Sequence, residues 1–183
     1  MFEVQRFIEQ CQGALLETDV SGAMRVILER TVSMPSEVLT GLGAPLRAGV
    51  QKLYASESLT ILNVIWGAQM TIMPHNHEMT AIIGVYTGAE DNIFWRRTGE
   101  SSGLIKAASA RSLRAKDVAA LGPDTIHSVT NPIPRLTGAL HIYLGPFFTA
   151  QRSEWEPETL HEGVYDVNKN MRLFEESNAA LIK

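Results

Sequence analysis

Between residues 51 and 148 the chain breaks into short stretches rich in Ile, Val, Thr, Tyr and Trp, separated by Gly, Pro, Asn and Asp, with no helix-length segment between them. Parallel strands need crossover connections of a dozen residues or more, so this spacing argues against an alternating α/β fold and predicts an antiparallel sandwich or barrel. Strands are expected at Leu59 to Trp66, Gln69 to Met73, Thr80 to Thr87, Asn92 to Arg97, Leu104 to Ala108, Asp117 to Leu121, His127 to Thr130 and Thr137 to Leu144. Asp91 and Asn92, following Gly88, read as turn residues. Ahead of this region Val4, Phe7, Ile8, Cys11 and Leu15 recur at helical spacing, and Met24, Ile27 and Leu28 follow a candidate N-cap at Ser21, which predicts two amphipathic helices. Pro35 suits the first turn of a third, short helix that Gly41 and Gly43 would stop. After Pro146 the chain reads as irregular and polar to Tyr165, and a last helix is expected from Asp166, with Met171, Phe174 and Leu181 facing the body. The expected organisation is one domain over 1–183: a helical region (1–50), a β core (51–148) and a tail with a helix (149–183).

Charge and cysteine content narrow the function. Lys plus Arg number 16 against 20 Asp plus Glu, a net charge of −4, so there is no basic surplus for a phosphate backbone or an anionic membrane, and no nucleic-acid or membrane partner is expected. Polar residues interrupt every apolar stretch before the roughly 18 residues a membrane span requires, and Phe2-Glu3-Val4-Gln5-Arg6 lacks the order of a signal peptide. The single cysteine, Cys11, sits on an apolar helix face and reads as core; a chain so poor in thiols fits a reducing cytoplasm.

The chemistry is carried by the histidines: His75, His77, His127, His141 and His161. On a strand, residues two apart point the same way, so His75-Asn76-His77 brings two imidazoles together as a chelating pair. His161, among Glu154, Glu156, Glu158 and Glu162, reads as solvated. The plain alternative for the rest is a set of unrelated histidines, with His141 a satisfied core residue and Tyr143 a packing residue.

The order Pro74-His75-Asn76-His77, then Gly88, then His127 and Asn131, resembles the two metal-binding motifs of the cupin superfamily. The resemblance implies a mainly β, double-stranded β-helix (jelly-roll-like) barrel with N-terminal helices and a C-terminal helix, and a metal held by His75, His77 and His127. The motif's glutamate is missing, with Ala81 or Ile82 in its place, and loss of that acid resembles the thiol dioxygenases of the cysteine dioxygenase type. The segment from Gly138 to Phe147 is similar to that family's Ser-x-His-x-Tyr strand and Pro-Phe ending, with His141 and Tyr143 matching and Ala139 in place of Ser; the resemblance implies that His141 and Tyr143 act beside the metal. Ile82 stands where mammalian-type members carry a cross-linking cysteine, and the Tyr54-Ala55-Ser56 region lacks the arginine that grips the substrate carboxylate. Both departures are similar to bacterial members, including 3-mercaptopropionate dioxygenases, and the run from His75 to Thr80 is more weakly similar to cysteamine-type dioxygenases.

Three neutral imidazoles suit Fe(II), with Zn, Ni and Cu also admissible, and leave about three coordination positions open. The full charge of the ion then favours an anionic ligand. The expected reaction is addition of O2 to a small thiol, cysteine or 3-mercaptopropionate-like, to give a sulfinate. Alternatives are a three-histidine cupin dioxygenase or isomerase acting on a β-diketone or enolised substrate, and a non-catalytic cupin that binds a metal or small ligand. An anionic substrate tail needs a cation, and the arginine pair on an expected strand is Arg96-Arg97; alternation admits one of them inward, Arg96 slightly preferred, with Arg172 as competitor. Sheet edges in sandwiches often pair between subunits, so a homodimer is compatible with this reading.

Overall fold

A computed structural model describes residues 1–99 and 103–180. Three helices come first: α1 (Val4–Ala14), α2 (Val20–Val32) and α3 (Pro35–Leu42). They are followed by β1 (Gly49–Ala55), β2 (Thr60–Trp66), β3 (Thr71–His75), β4 (Ala81–Thr87), β5 (Ala89–Arg97), β6 (Ile105–Arg114), β7 (Val118–Leu121), β8 (Ile126–Thr130), β9 (Thr137–Tyr143), β10 (Ser153–Trp155), β11 (Glu162–Val164) and the terminal helix α4 (Val167–Ala180). The cap of α2 is Asp19, not Ser21: its carboxylate accepts from Gly22 N at 2.9 Å, two residues earlier than expected. Leu181 lies outside the described residues.

Strand pairing defines the architecture. The sheet orders are β1-β2-β9-β4-β7 and β11-β10-β3-β8-β5-β6, every pair antiparallel. Within them β2 pairs with β9, β3 with β8, β4 with β7 and β5 with β6, so the pairs nest around the β5–β6 hairpin. Successive nested pairs alternate between the sheets, as if one long two-stranded ribbon had been wound into a barrel. The fold is therefore mainly β, a double-stranded β-helix with β1, β10 and β11 added at its edges.

Alternation along β4 and β9 explains what lies on each side of the first sheet. Ile82 and Tyr86, with Leu140 and Ile142, face outward and pack on Phe7, Cys11, Met24 and Leu28 of the helices. Ala81, Ile83 and Val85, with Ala139 and Tyr143, face the barrel interior, where they meet Leu62, Val64, Trp66 and Ile72. Both strands are covered on both faces, which is why they read as near-continuous apolar runs. Burial of each large side chain there contributes about 1.5–3 kcal/mol. The same alternation turns His141 inward beside Tyr143.

The stretch read as irregular holds β10 and β11. Glu154 of β10 pairs with His75 of β3, and its carboxylate accepts from Lys169 Nζ and Asn170 Nδ2 of α4, both at 3.0 Å. That contact draws α4 over the barrel mouth, where Phe174 stacks on Trp66 with ring centroids 5.7 Å apart. No helix of the described residues is long and apolar enough to cross a membrane.

Candidate metal centre

A register shift brings the imidazoles together. Thr71 and Ile72 pair with Thr130 and Val129, but His75 pairs with His127, one residue out of step. The irregularity falls at Met73 and Pro74, where proline has no N–H to give to a ladder, and a one-residue slip exchanges the faces of a strand. It sets His75 directly opposite His127. β3 ends there, so His77 lies just beyond the strand and does not continue it as the alternation argument assumed. Asn76 causes the departure: its N–H donates to Ser153 O at 3.1 Å and its Oδ1 accepts from Ser153 N at 2.7 Å, bending the chain toward β10.

His75, His77 and His127 each offer a ligand atom within 4.8 Å of the other two, and all three are buried. The Nε2 atoms of His77 and His127 are 3.4 Å apart, the separation that two nitrogens about 2.1 Å from a shared ion would have at a tetrahedral angle. His75 donates its Nδ1–H to Met73 O at 2.9 Å, and His127 donates its own to Asn92 Oδ1 at 2.9 Å. These bonds fix the tautomer and leave the Nε2 lone pairs free, as metal-binding histidines require. Asn92 is buried within β5, and Asp91 lies in the same strand; neither forms a turn, because Gly88, at φ +84°, has already made it.

The electrostatics match that donor set. Burial lowers the His75 pKa to about 4, against the Met73 hydrogen bond and with help from Arg152. Burial, then the charges of neighbouring histidines, hold His77 and His127 well below the ordinary value. The rings stay neutral in the folded protein while the unfolded chain takes up protons near pH 6.5, so stability is complete above that pH and is lost as pH falls toward 4. His75 alone accounts for up to about 3 kcal/mol. The metal-free protein is expected to show a falling urea midpoint between pH 7 and pH 4.5, shallower in His75→Gln; equal slopes in the two proteins would contradict this assignment.

A cavity of about 90 Å³ opens onto His75 and His77, with His141, Tyr143, Phe147 and Arg152 among its walls. That volume suits a ligand of roughly half a dozen heavy atoms. His141 Nδ1 lies 3.0 Å from the Tyr143 hydroxyl, and the Tyr143 ring stands 5.1 Å from that of His77. His141 is thus bonded to a cavity side chain and not to a backbone carbonyl.

The arginine expectation is corrected. Arg96 and Arg97 are both exposed; Arg97 is committed to Glu162 in an ion pair and lies over the Trp155 ring. The outer end of β5 runs past the barrel, so neither reaches the cavity. Arg172 is exposed on α4. The cavity's cation is Arg152, only 7% exposed, with its guanidinium 4.0 Å from the Phe147 ring centroid and 4.2 Å from that of Tyr165. Its Nη1 has no hydrogen-bond partner among the described residues. Stacking recovers part of the cost of burying a charge, but an unpaired guanidinium still calls for an anion. Nothing in the local sequence singles out Arg152.

No protein-family model matches this chain, and neither does any curated protein. Solved structures do. A Bacillus halodurans protein, BH2720, matches with a TM-score of 0.48 at 15% identity, over 75% of this chain and 83% of its own. DMSP lyase DddQ from Ruegeria pomeroyi DSS-3 matches with 0.46 at 22% identity, over 64% of this chain and 59% of that one. An RmlC-like cupin family protein with a double-stranded β-helix fold from Methanocaldococcus jannaschii matches with 0.46 at 10% identity, over 57% of this chain and 85% of that one. The strand pairing of this chain, independently of these likenesses, defines the same fold.

Proposed function

We propose that this chain is a non-haem iron thiol dioxygenase of the cysteine dioxygenase-like cupin type, acting on a small thiol that carries a carboxylate. The observation that supports it is one small cavity whose walls hold two members of a cluster of three buried imidazoles, His75 and His77, together with the buried Arg152 guanidinium, whose Nη1 has no partner among the described residues. His75, His77 and His127 would hold the ion, and a donor set of this kind suits Fe(II), with Zn, Ni or Cu as competitors. Iron held there would supply activation of a thiolate and of O2, the overall change being thiol plus O2 to sulfinate plus a proton.

The chain's own residues do the rest. Arg152 takes the carboxylate in a charge-assisted contact and so orients the thiol end toward the histidines. Phe147, Trp66 and Phe174 make the walls apolar and restrict the site to small ligands. Tyr143 and His141 form a hydrogen-bonded pair beside His77, placed to contact the reacting end.

Protein grown without added metal is expected to contain iron by elemental analysis and to take up oxygen with 3-mercaptopropionate or cysteine. Uptake with a β-diketone and none with thiols would transfer the site to the enolised-substrate chemistry. Full iron loading with no turnover on the panel would leave a binding protein and end the dioxygenase reading.

A further inference from the structure

Two buried polar atoms, Glu90 Oε2 and His141 Nε2, lack partners among the described residues, and the two side chains face each other, His141 in the cavity wall and Glu90 outside it. Glu90, near the start of β5, is wholly buried; its Oε1 accepts from Trp66 Nε1–H at 2.6 Å, and its Oε2 has no hydrogen-bond partner among the described residues. His141 Nε2 has none either and stands 3.8 Å from Glu90 Oε1. The other ring nitrogen, Nδ1, is engaged at 3.0 Å with the Tyr143 hydroxyl. Ala139, two residues earlier on the same inward face of β9, is fully buried, and its side chain has no polar atom that could hold the ring.

An unsatisfied buried nitrogen is costly, so a closure of under about 1 Å that brings His141 Nε2 within hydrogen-bond reach of the Glu90 carboxylate is favoured. Its direction is dictated by chemistry. An ionised carboxylate only accepts, so it can meet His141 only where Nε2 carries the proton; with the proton on Nδ1, two lone pairs would oppose each other. A neutral ring protonated at Nε2 has an acceptor at Nδ1, and the donor there among the described residues is the Tyr143 hydroxyl. The polarity then runs from Tyr143 O–H to His141 Nδ1, and from His141 Nε2–H to Glu90, whose carboxylate also takes the Trp66 N–H.

We propose that Glu90 is a positioning residue that locks His141 as the Nε2–H tautomer, so that Tyr143 commits its proton to His141 and offers its oxygen to the ligand as an acceptor. The functional half of this rests on the reading above; the tautomer does not. With Arg152 supplying donors and Tyr143 an acceptor, the cavity is polarised, and the ligand that fits has an anionic group at one end and a hydrogen-bond donor at the other. A buried acid that fixes the tautomer of an acid–base histidine is also a device whose removal impairs turnover with the fold intact.

The test is a long-range proton–nitrogen correlation spectrum of ¹⁵N-histidine-labelled protein, metal-free and after exchange into diamagnetic Zn(II), with the His141 signals identified by their loss in His141→Gln. Wild type is expected to show His141 protonated at Nε2. In Glu90→Gln the amide oxygen keeps the Trp66 N–H and turns its NH2 toward His141, so the ring is expected to switch to Nδ1–H, with kcat lowered roughly tenfold to a hundredfold and KM within about twofold. An Nδ1–H ring in the wild type, or an unchanged tautomer in Glu90→Gln, would overturn the proposal. Should Glu90→Gln fail to fold, the wild-type spectrum decides. An Nε2–H ring in a protein that turns over no thiol upholds the Glu90 assignment and defeats the dioxygenase reading, so the two failures are separable.

Discussion

His77→Ala is expected to purify with its β structure intact, with less than about a hundredth of the parent's iron affinity and no measurable thiol-dependent oxygen uptake. The variant loses one of three nitrogens, and even changes to groups that merely support metal ligands cost tenfold to a hundredfold. The fold should survive because His77 lies beyond the end of β3, outside the ladder, and its Nδ1 makes no hydrogen bond that would be forfeited. Elemental analysis and oxygen-electrode rates decide the matter together. Parent-like iron content in His77→Ala would mean that these rings do not share an ion.

Arg152→Leu is expected to lower kcat/KM for 3-mercaptopropionate by roughly tenfold to a hundredfold while leaving cysteamine, which has no carboxylate, within about threefold of the parent. A hydrogen bond to a charged group is worth about 1.5–3 kcal/mol, and leucine keeps part of the stem packing while removing the charge. The comparison between thiols is the discriminating feature, since a general loosening of Phe147 and Tyr165 would slow both alike. Equal losses on the two substrates would assign Arg152 a packing role and remove the carboxylate from the proposed substrate class. Lysine is a poor rescue here, because it lacks the planar face that lies between the two rings.

Period-two patterning made most of the core legible beforehand. The stretches through β2, β4 and β9 announce themselves because both faces are covered, and His141 and Tyr143 follow inward from the alternation with Leu140 and Ile142. β1 was not legible: its ladder slips between Lys52 and Tyr54, and Gln51 and Lys52 are exposed on an edge strand, which blurs the period. Motif spacing found the three metal-binding candidates because it records a local chelate and one distant strand. It was blind to Asn92, which looked like a turn residue until the position of Gly88 moved the turn upstream. Arg152 had no local signal at all. Its place is set by Phe147 and Tyr165 on either side of a segment that, read in one dimension, is a polar connection. The error at Arg96 and Arg97 is of another kind, because the strand was identified correctly but alternation cannot say where a strand leaves the barrel.

The nested pairing bears on the order of events when the polypeptide first folds. His77 and His127 are 50 residues apart in sequence and meet only when β3 and β8 have zipped, which in turn encloses the β4–β7 and β5–β6 pairings. Closing such a span is slow relative to local hairpins, since chain entropy is surrendered before distant contacts repay it. An ion arriving early would find a single flexible chelate at residues 75 and 77. Metal capture at the proposed site would therefore be a late, post-assembly event that fastens a finished barrel, and refolding rates should be insensitive to added iron even where the unfolding rate is not.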